Sequence, residues 1–321
     1  QGLAESIKPS TSTTPFTQER KTTKYTTINA FATYNKTFIN AHNISALAGF
    51  NQEKSNYRYL YSQAYNMISN ELPSLSGSDG VTPPETKDEY TEYALRSGFF
   101  RASYNYMQRY FVEVNGRYDL SSKFPKDYRG GFFPSVSAGW NIAEEGFVKN
   151  NASWLDQLKL RAGYGVLGNQ EISNYQFVSV VSTGINYPNG NGGLIQGAFP
   201  KTFANPDIKW EETAMTNVGI DFMALRNRLT LTADWYVKNT KDILLNVPIP
   251  ISTGGSNDPI RNAGKIRNQG VEFNIGWNET LNKDFSYGVN FLGTYNKNEV
   301  VEMGAESQAI TGGTIHGGTY T

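Results

Sequence analysis

Hydrophobic and polar residues alternate strictly along several segments of the chain. In segment 112–120 the apolar or small positions are Val112, Val114, Gly116, Tyr118 and Leu120, and the residues between them are Glu113, Asn115, Arg117 and Asp119. Segments 158–166, 229–238 and 271–278 repeat the pattern. A period of two residues is typical of a β-strand whose two faces meet different surroundings.

About ten strands can be delimited between the turn-forming residues. They are predicted near residues 24–35, 42–60, 92–106, 110–120, 132–142, 156–167, 208–224, 228–245, 264–279 and 284–299. The predicted fold class is therefore all-β, with antiparallel strands in up-and-down order.

Alternation alone is compatible with both a soluble β-sandwich and a membrane barrel, but the lengths of the connections distinguish the two folds. Short connections are predicted at 35–41, 107–109, 143–155, 225–227 and 278–283, and long ones at 51–91, 121–131, 168–207 and 246–263. In up-and-down order, all the short connections then fall at one end of the sheet. Outer-membrane barrels have this asymmetry, with short periplasmic turns and long extracellular loops. The strands must close on themselves or on strands outside this chain, because lipid does not tolerate an open sheet edge.

Tryptophan positions agree with a barrel. Trp140 and Trp277 lie on the apolar face at the short-turn end, and Trp154 lies within a short connection. Trp210 begins a strand at the long-loop end. We therefore expect an aromatic girdle at each membrane interface.

Composition narrows the functional classes. Lys+Arg and Asp+Glu are both 29 in 321 residues, so no basic surface for nucleic acid is indicated. Mean hydropathy is −0.49, and no apolar run is long enough for a membrane helix. Cysteine is absent, which excludes disulfides and zinc–thiolate sites. The start at Gln1 has no signal-peptide pattern, so we expect any such segment to be removed or outside this sequence.

Several motifs resemble the SusC/RagA-like TonB-dependent outer-membrane transporters of Bacteroidetes. The resemblance begins at 133–140 and continues at 155–170, which ends in Gly168-Asn-Gln170. The other matching segments are 205–211, 216–222, 227–236, 241–244, 262–273 and 295–300. Their order and spacing are more specific than any single segment, and together they extend from Gly98 to Val300.

The resemblance implies a nutrient importer with a barrel of about 22 strands and an N-terminal plug domain. It also implies a TonB-box segment on the periplasmic side and a SusD-like surface lipoprotein as partner. The implied cargo is an oligosaccharide or a peptide. We therefore expect residues 1–321 to be an internal part of the barrel domain, with the plug domain and the last strands absent.

Three alternate tyrosines are candidate substrate-binding residues. If Ile44 and Phe50 face lipid, the same register directs Tyr57, Tyr59 and Tyr61 inward near the outer mouth. Such a row of rings suits stacking on sugars or peptides. Cross-strand packing, or a bulge that exchanges the faces, is the alternative interpretation.

Other loop segments carry weaker signals. Segment 186–193 is rich in turn formers and could contact a lid or a ligand, or be a solvated loop. Asp79 and Asp88 offer oxygen ligands, but their spacing matches no calcium loop. No metal or cofactor is therefore assigned.

Two alternatives to transport remain open from the residues themselves. Ten strands also form a complete barrel in some outer-membrane hydrolases, such as omptin-like proteases. The two histidines, His42 and His316, lie at a short turn and in the Gly-rich tail, away from an outer-mouth nucleophile. We therefore expect no enzyme and assign no catalytic residue. An adhesive or purely structural barrel is the other alternative.

Overall fold

The protein is described by a computed structural model for residues 15–69, 71, 74–78, 80–190, 192–249, 258–303, 314–315 and 318–319. The long strands are β1 Phe16–Phe38, β2 His42–Ala64, β3 Glu85–Tyr106, β4 Tyr110–Ser121, β5 Gly130–Asn141, β6 Leu155–Asn169, β9 Glu211–Ala224, β10 Leu229–Lys241, β13 Lys265–Thr280 and β14 Ser286–Glu302. The shorter ones are β7 Val180–Pro188, β8 Leu194–Thr202, β11 Leu244–Asn246, β12 Ile260–Asn262, β15 Thr314–Ile315 and β16 Gly318–Thr319. Within the ranges just given, the helical elements are α1 Gly146–Lys149 and 3-10 turns at Leu75–Gly77, Lys126–Tyr128 and Ile142–Glu144.

The ten long strands form one sheet in the order β1-β2-β3-β4-β5-β6-β9-β10-β13-β14. From β3 to β14 every ladder of this sheet is antiparallel, with β6 paired to β9 and β10 paired to β13. The ten predicted strands and their up-and-down order are thus confirmed. In the described residues β1 and β14 are the two ends of the sheet, as expected of part of a barrel.

Two pairs of short strands were not predicted from the sequence. β7 pairs with β8 within the predicted connection 168–207, and β11 pairs with β12 across the predicted connection 246–263. Gly and Pro interrupt β7 and β8, and β11 and β12 have three residues each. Neither pair has the sustained alternation that identified the long strands.

The chain divides into two compact units. Unit 1 comprises 1–28 and 53–94, whose described part includes portions of β1, β2 and β3. Unit 2 comprises 29–52 and 95–321, with the remaining strands and all the short turns.

Hydrogen bonds between successive short turns place those turns side by side in unit 2. The Met107 backbone N–H donates to the Ala41 carbonyl at 2.8 Å, and that of Asn141 donates to the Arg109 carbonyl at 2.7 Å. Leu225 likewise bonds Trp154 at 2.8 Å. This confirms that the short connections share one end of the sheet.

The β1–β2 turn is unusual in its residues. Ile39 and Asn40 have φ of 51° and 52°, as in a type I′ turn, and the Ala41 N–H donates to the Phe38 carbonyl at 3.0 Å. Type I′ turns normally use Asn or Gly at these positions. A β-branched residue at positive φ is strained, so Ile39 is held there by the pairing of the flanking strands.

Six buried apolar residues of unit 2 lie where the long loops join the sheet. They form a cluster of Leu95, Phe124, Phe133, Ile172, Ile208 and Trp210, which we call the loop-end cluster. Trp210 is only 6% exposed. The prediction that Trp210 belongs to an interfacial girdle is therefore wrong, because the long loops fold over it. Trp140 and Trp154 at the short-turn end are exposed, as predicted. Among the described residues, no helix has the length and apolarity to cross a membrane.

Candidate functional site

The cross-strand register of unit 2 gives the sheet one polar face and one apolar face. Arg161 of β6 and Asp234 of β10 both lie opposite Gly219 of β9, and Asp221 is two residues further along β9. Since side chains at directly opposite positions lie on the same face, these charged groups share one face of the sheet. We call it the polar face.

An arginine links three strands on the polar face. Arg161 Nε and Nη2 donate to the two carboxylate oxygens of Asp221 at 2.8 and 3.0 Å. Its Nη1 and Nη2 donate to those of Asp234 at 3.1 and 3.0 Å. Asn217 Nδ2 donates to Asp234 Oδ1 at 3.2 Å. These three charged side chains are only 21–31% exposed, so the arginine compensates two partly desolvated carboxylates.

This arrangement is possible because Gly219, as a glycine, has no side chain. A Cβ atom at Gly219 would stand 2.3 Å from Asp234 Oδ1 and 2.8 Å from Arg161 Nη2. Any other residue would therefore separate the arginine on β6 from the carboxylate on β10. Gly219 and Asp221 belong to the family-like segment 216–222, but only the register reveals what they do.

A second polar network lies on β3, β4 and β5. Arg101 Nε donates to Glu113 Oε2 at 2.8 Å. Asn115 Nδ2 donates to Glu113 Oε1 at 3.0 Å and to Ser135 Oγ at 3.3 Å. The polar face is thus covered by linked charged and amide groups from strand to strand.

A cavity of unit 2 opens on this polar face. Its volume is about 650 Å³, and its lining includes Ser103, Glu113, Lys159, Arg161 and Asn217. These polar side chains can form hydrogen bonds with water or with a polar ligand. The geometry is that of a hydrated inner wall.

The opposite face of the same strands is apolar and exposed. Its side chains include Val112, Val114, Val136, Leu160, Val218, Trp235, Val271, Ile275 and Phe291, each between 39% and 61% exposed. A continuous apolar surface across so many strands is not sustained in water by a monomeric soluble protein. Its alternation with the polar face is the pattern of strands between lipid and a wet interior.

The predicted tyrosines lie in unit 1 and do share one strand at alternate positions. The ring centroids of Tyr59 and Tyr61 are 6.3 Å apart, with planes inclined by 40°. Lys21 Nζ lies 5.3 Å from the Tyr59 centroid, and Lys87 Nζ lies 5.2 Å from the Tyr61 centroid. Each lysine therefore lies over one ring of the row.

The hydroxyl groups of this tyrosine row are also engaged. Tyr59 Oη donates to Glu19 Oε1 at 3.2 Å, and Tyr61 Oη donates to Gln63. Tyr57 contributes instead to the wall of a separate cavity with Arg20 and Arg58. The three residues are therefore not equivalent, and the predicted inward direction of the row stays a prediction.

The motif segments converge at the loop-end cluster, although they are far apart in sequence. Trp210 Nε1 donates to the Arg129 carbonyl at 3.0 Å, and its ring centroid lies 5.3 Å from that of Phe133. Glu211 accepts from Asn169 Nδ2 at 3.3 Å and from the Leu244 N–H at 3.1 Å. These contacts join segments 133–140, 155–170, 205–211 and 241–244, so the motifs fasten the long loops to the sheet.

Asn262 completes this attachment. Its Oδ1 accepts from the Lys209 N–H at 2.9 Å, and its Nδ2 donates to the carbonyls of Lys209 and Asp242 at 2.8 and 2.9 Å. One side chain thereby holds the start of β9, the end of β10 and β12 together. Several of the segments that carry the family resemblance therefore anchor the loops in this chain.

Glu145 holds the short-turn end. It accepts from Tyr110 Oη at 2.6 Å and from Trp140 Nε1 at 3.1 Å, and Arg109 Nη1 lies 3.5 Å from its other oxygen. The bonds from Tyr110 and then Trp140 lower the pKa of Glu145. Exposed Phe147 and Trp154 lie in the same β5–β6 connection, which agrees with the predicted girdle at this end.

The remaining candidates give no catalytic or metal arrangement. His42 Nδ1 lies 2.7 Å from Tyr104 Oη, and its ring packs 4.8 Å from that of Tyr106, whereas His316 lies outside the described residues. Asp79 also lies outside them, and Asp88 is paired with Arg58. In the described ranges, no group of three His, Asp or Glu side chains is placed to hold a metal ion.

Segment 186–193 ends β7 and forms the turn of the β7–β8 hairpin. Gly190 and Gly192 have φ of 78° and 79°, and the Gly193 N–H donates to Asn189 Oδ1 at 3.0 Å. The turn-forming residues are thus used as a hairpin turn. Its predicted contact with a lid or ligand stays a prediction.

Comparison with known proteins agrees with this geometry. The family model described as TonB dependent receptor-like, beta-barrel matches residues 4–319. TonB-dependent receptor P39 of Formosa agariphila is 36% identical over 93% of this chain and 28% of its own length. TonB-dependent receptor SusC of Bacteroides thetaiotaomicron is 38% identical over 67% of this chain and 22% of its own length.

Solved structures of the RagAB peptide transporter have the same fold. One aligns with a TM-score of 0.80 at 27% identity, over 92% of this chain and 33% of that chain. The chain spans about a third or less of the relatives it matches. These relatives are receptors and transporters, not enzymes. The chain belongs to the TonB-dependent receptor β-barrel family of the bacterial outer membrane, with SusC and RagA among its relatives.

Proposed function

We propose that this chain forms part of the barrel wall of an outer-membrane importer that takes up an oligosaccharide or a peptide. Residues 1–321 would belong to a larger barrel of about 22 strands that surrounds a plug domain located elsewhere in the polypeptide. A SusD-like surface lipoprotein would retain cargo at the outer mouth. TonB would supply energy through a segment reached from the periplasm.

The observation that carries this proposal is the pair of unlike faces in unit 2. One face presents ion-pair networks such as that of Arg161, and the other presents exposed apolar side chains from β4 to β14. A wall between water and lipid needs both. An adhesive barrel would not need the linked charges of the polar face, which suit a hydrated interior that cargo or a plug contacts.

The tyrosine row of unit 1 is the proposed cargo contact. A lysine lies over each of the rings of Tyr59 and Tyr61. The ion pairs beside them, Lys21–Glu19 at 3.3 Å and Lys87–Glu85 at 2.9 Å, offer hydrogen bonds to polar cargo. Rings and paired charges of this kind bind sugar rings as well as peptide backbones, so both cargo classes are retained.

Uptake by cells expressing the full polypeptide tests the proposal. Deletion of the gene should abolish uptake of the cognate oligosaccharide or peptide, and loss of TonB should have the same effect. A library of labelled oligosaccharides and of labelled peptides distinguishes the two cargo classes. Undiminished uptake without TonB would contradict active import.

The tyrosine row is tested separately by binding to the purified full polypeptide with its lipoprotein. Replacing Tyr57, Tyr59 and Tyr61 by Ala should weaken cargo binding roughly tenfold or more, since each aromatic contact contributes about 0.5–1.5 kcal/mol. The triple Phe variant is the matched control, because it keeps the rings and removes only the hydroxyl groups. Unchanged affinity in the Ala variant would remove the row from the cargo site and leave the importer proposal intact.

A further inference from the structure

A second cavity lies wholly within unit 1 and has a cationic lining. Its volume is about 500 Å³, and Arg20 and Lys24 of β1 and Arg58 of β2 contribute to its wall. Thr22, Asn56 and Tyr90 add hydroxyl and amide groups, and no carboxylate is among its lining residues. The cavity therefore offers hydrogen-bond donors around concentrated positive charge.

Two of these cations lack an anionic partner in the part of the chain that the structure describes. Most lysines and arginines of unit 1 form ion pairs, including Lys21 with Glu19, Lys54 with Glu92 and Lys87 with Glu85. Neither Arg20 nor Lys24 has a hydrogen bond or ion pair with any described side chain. Both are exposed and lie on the same side of β1, four residues apart, or about 13 Å along the strand.

The third cation is held in place but only partly neutralised. Arg58 Nη2 donates to Asp88 Oδ2 at 2.8 Å, and its Nε donates to Oδ1 at 3.2 Å. This bidentate bond fixes the guanidinium at the edge of the cavity. The remaining N–H groups of Arg58 stay available to an anion, while Asp88 competes with that anion.

The positions along β1 indicate what kind of anion would be bound. Ile28 lies at the same parity as Arg20 and Lys24, four residues beyond Lys24, and it is 56% exposed. Leu60, which lines the cavity, is 45% exposed. Exposed apolar side chains beside cations match an amphiphile whose acyl chains lie next to phosphate groups.

We propose that the cavity formed by Arg20, Lys24 and Arg58 binds a phosphate group of an outer-leaflet lipid. Guanidinium groups bind phosphate through paired N–H donors, and lysine adds a mobile point charge. The hydroxyl group of Thr22 can donate to a remaining phosphate oxygen, whereas Tyr90 Oη already donates to Glu92 Oε2 at 3.1 Å. Tyr57 also lines this cavity, but Arg20, Lys24 and Arg58 are not among the proposed cargo contacts, so the lipid site does not rest on the proposed transport function.

Retention of a bisphosphorylated lipid A by the purified full polypeptide, measured by native mass spectrometry, tests the proposal. Arg20→Ala combined with Lys24→Ala should lower the affinity about 25-fold, since each cation near an anionic lipid surface contributes roughly fivefold. Lys149→Ala is the control for the loss of a lysine elsewhere: Lys149 pairs with Glu144 in the β5–β6 connection, so this variant should retain the lipid. Heat-modifiable mobility of each variant on a gel verifies that the barrel is folded.

A gain of affinity is expected from Asp88→Asn. The variant frees Arg58 from its carboxylate partner, so it should bind the lipid several-fold more tightly. Dephosphorylated lipid A should not be retained by the parent protein. Equal retention of that lipid, or unchanged binding in the double variant, would overturn the proposal.

Competition with inorganic phosphate distinguishes a site for a lipid phosphate group from a site for free phosphate. If the site serves a lipid, millimolar phosphate should displace lipid A only weakly, because the acyl chains add to the affinity. Tight binding of inorganic phosphate with complete displacement of lipid A would contradict the assignment to a lipid. The double variant should take up cargo normally. Failure of the lipid-binding proposal can therefore be distinguished from failure of the importer proposal.

Discussion

Removing Arg161 should destabilise the barrel because it leaves two carboxylates facing each other. Asp221 and Asp234 both lie about 3 Å from the same Arg161 nitrogen, so their oxygens are at most about 6 Å apart. At an effective dielectric of about 20, two unit charges at that separation repel by roughly 3 kcal/mol. The groups are partly solvated, with side-chain exposures of 24% and 21%, so we expect a net loss of about 1–3 kcal/mol in Arg161→Met.

Unfolding of the full polypeptide in detergent, followed by heat-modifiable mobility across a guanidinium series, measures this loss. The triple variant with Arg161→Met, Asp221→Asn and Asp234→Asn carries no net charge at the site. Its stability should return to within about 1 kcal/mol of the parent, because neutralising a whole buried network costs far less than removing one partner. The reasoning is refuted if Arg161→Met is as stable as the parent, or if the triple variant is no more stable than Arg161→Met.

Two further predictions concern the two ends of the sheet. Gly168→Ala would place a Cβ 2.0 Å from the Phe133 ring. It should therefore destabilise the loop-end cluster by about 1–3 kcal/mol and speed proteolysis of the long loops. The control variant Gly98→Ala should change neither property, because its Cβ would have no atom within 4 Å. Lowering the pH should release the short-turn end, because the pKa of Glu145 is lowered in the folded protein. The stabilisation that the Glu145 carboxylate provides is therefore fully present above the ordinary pKa of 4.5, and it is lost as the pH falls below that value. Trp140 fluorescence should therefore change below that pH in the parent and not in Glu145→Gln; an identical titration in both would disprove the anchor.

The strands and their order could be predicted from the sequence because they depend on short-range alternation. β3 and β4, for example, meet at the predicted connection 107–109, where Met107 and Gln108 adopt positive φ. The hairpin β7–β8 could not be found in this way, since Gly and Pro break its alternation and its pairing depends on the surrounding loops.

The sites were less predictable because they depend on register and on long-range folding. Arg161 and Asp234 are 73 residues apart, and only the register across Gly219 brings them together. Trp210 was assigned to a membrane interface, because its own segment does not reveal that the β4–β5 loop covers it with Phe124, whose ring centroid is 5.0 Å away. The tyrosine row was found from alternation, but the lysines over its rings were not.

The central claim is that the sheet separates water from lipid, and single cysteines can test it directly. This chain has no cysteine, so single thiols can be placed at Ser137 and Asn290 on the polar face and at Val136 and Val289 on the apolar face. In a cysteine-free full polypeptide within native outer membranes, a small water-soluble maleimide should label positions 137 and 290 and leave 136 and 289 unlabelled. Equal labelling of both faces, or preferential labelling of the apolar one, would contradict the account.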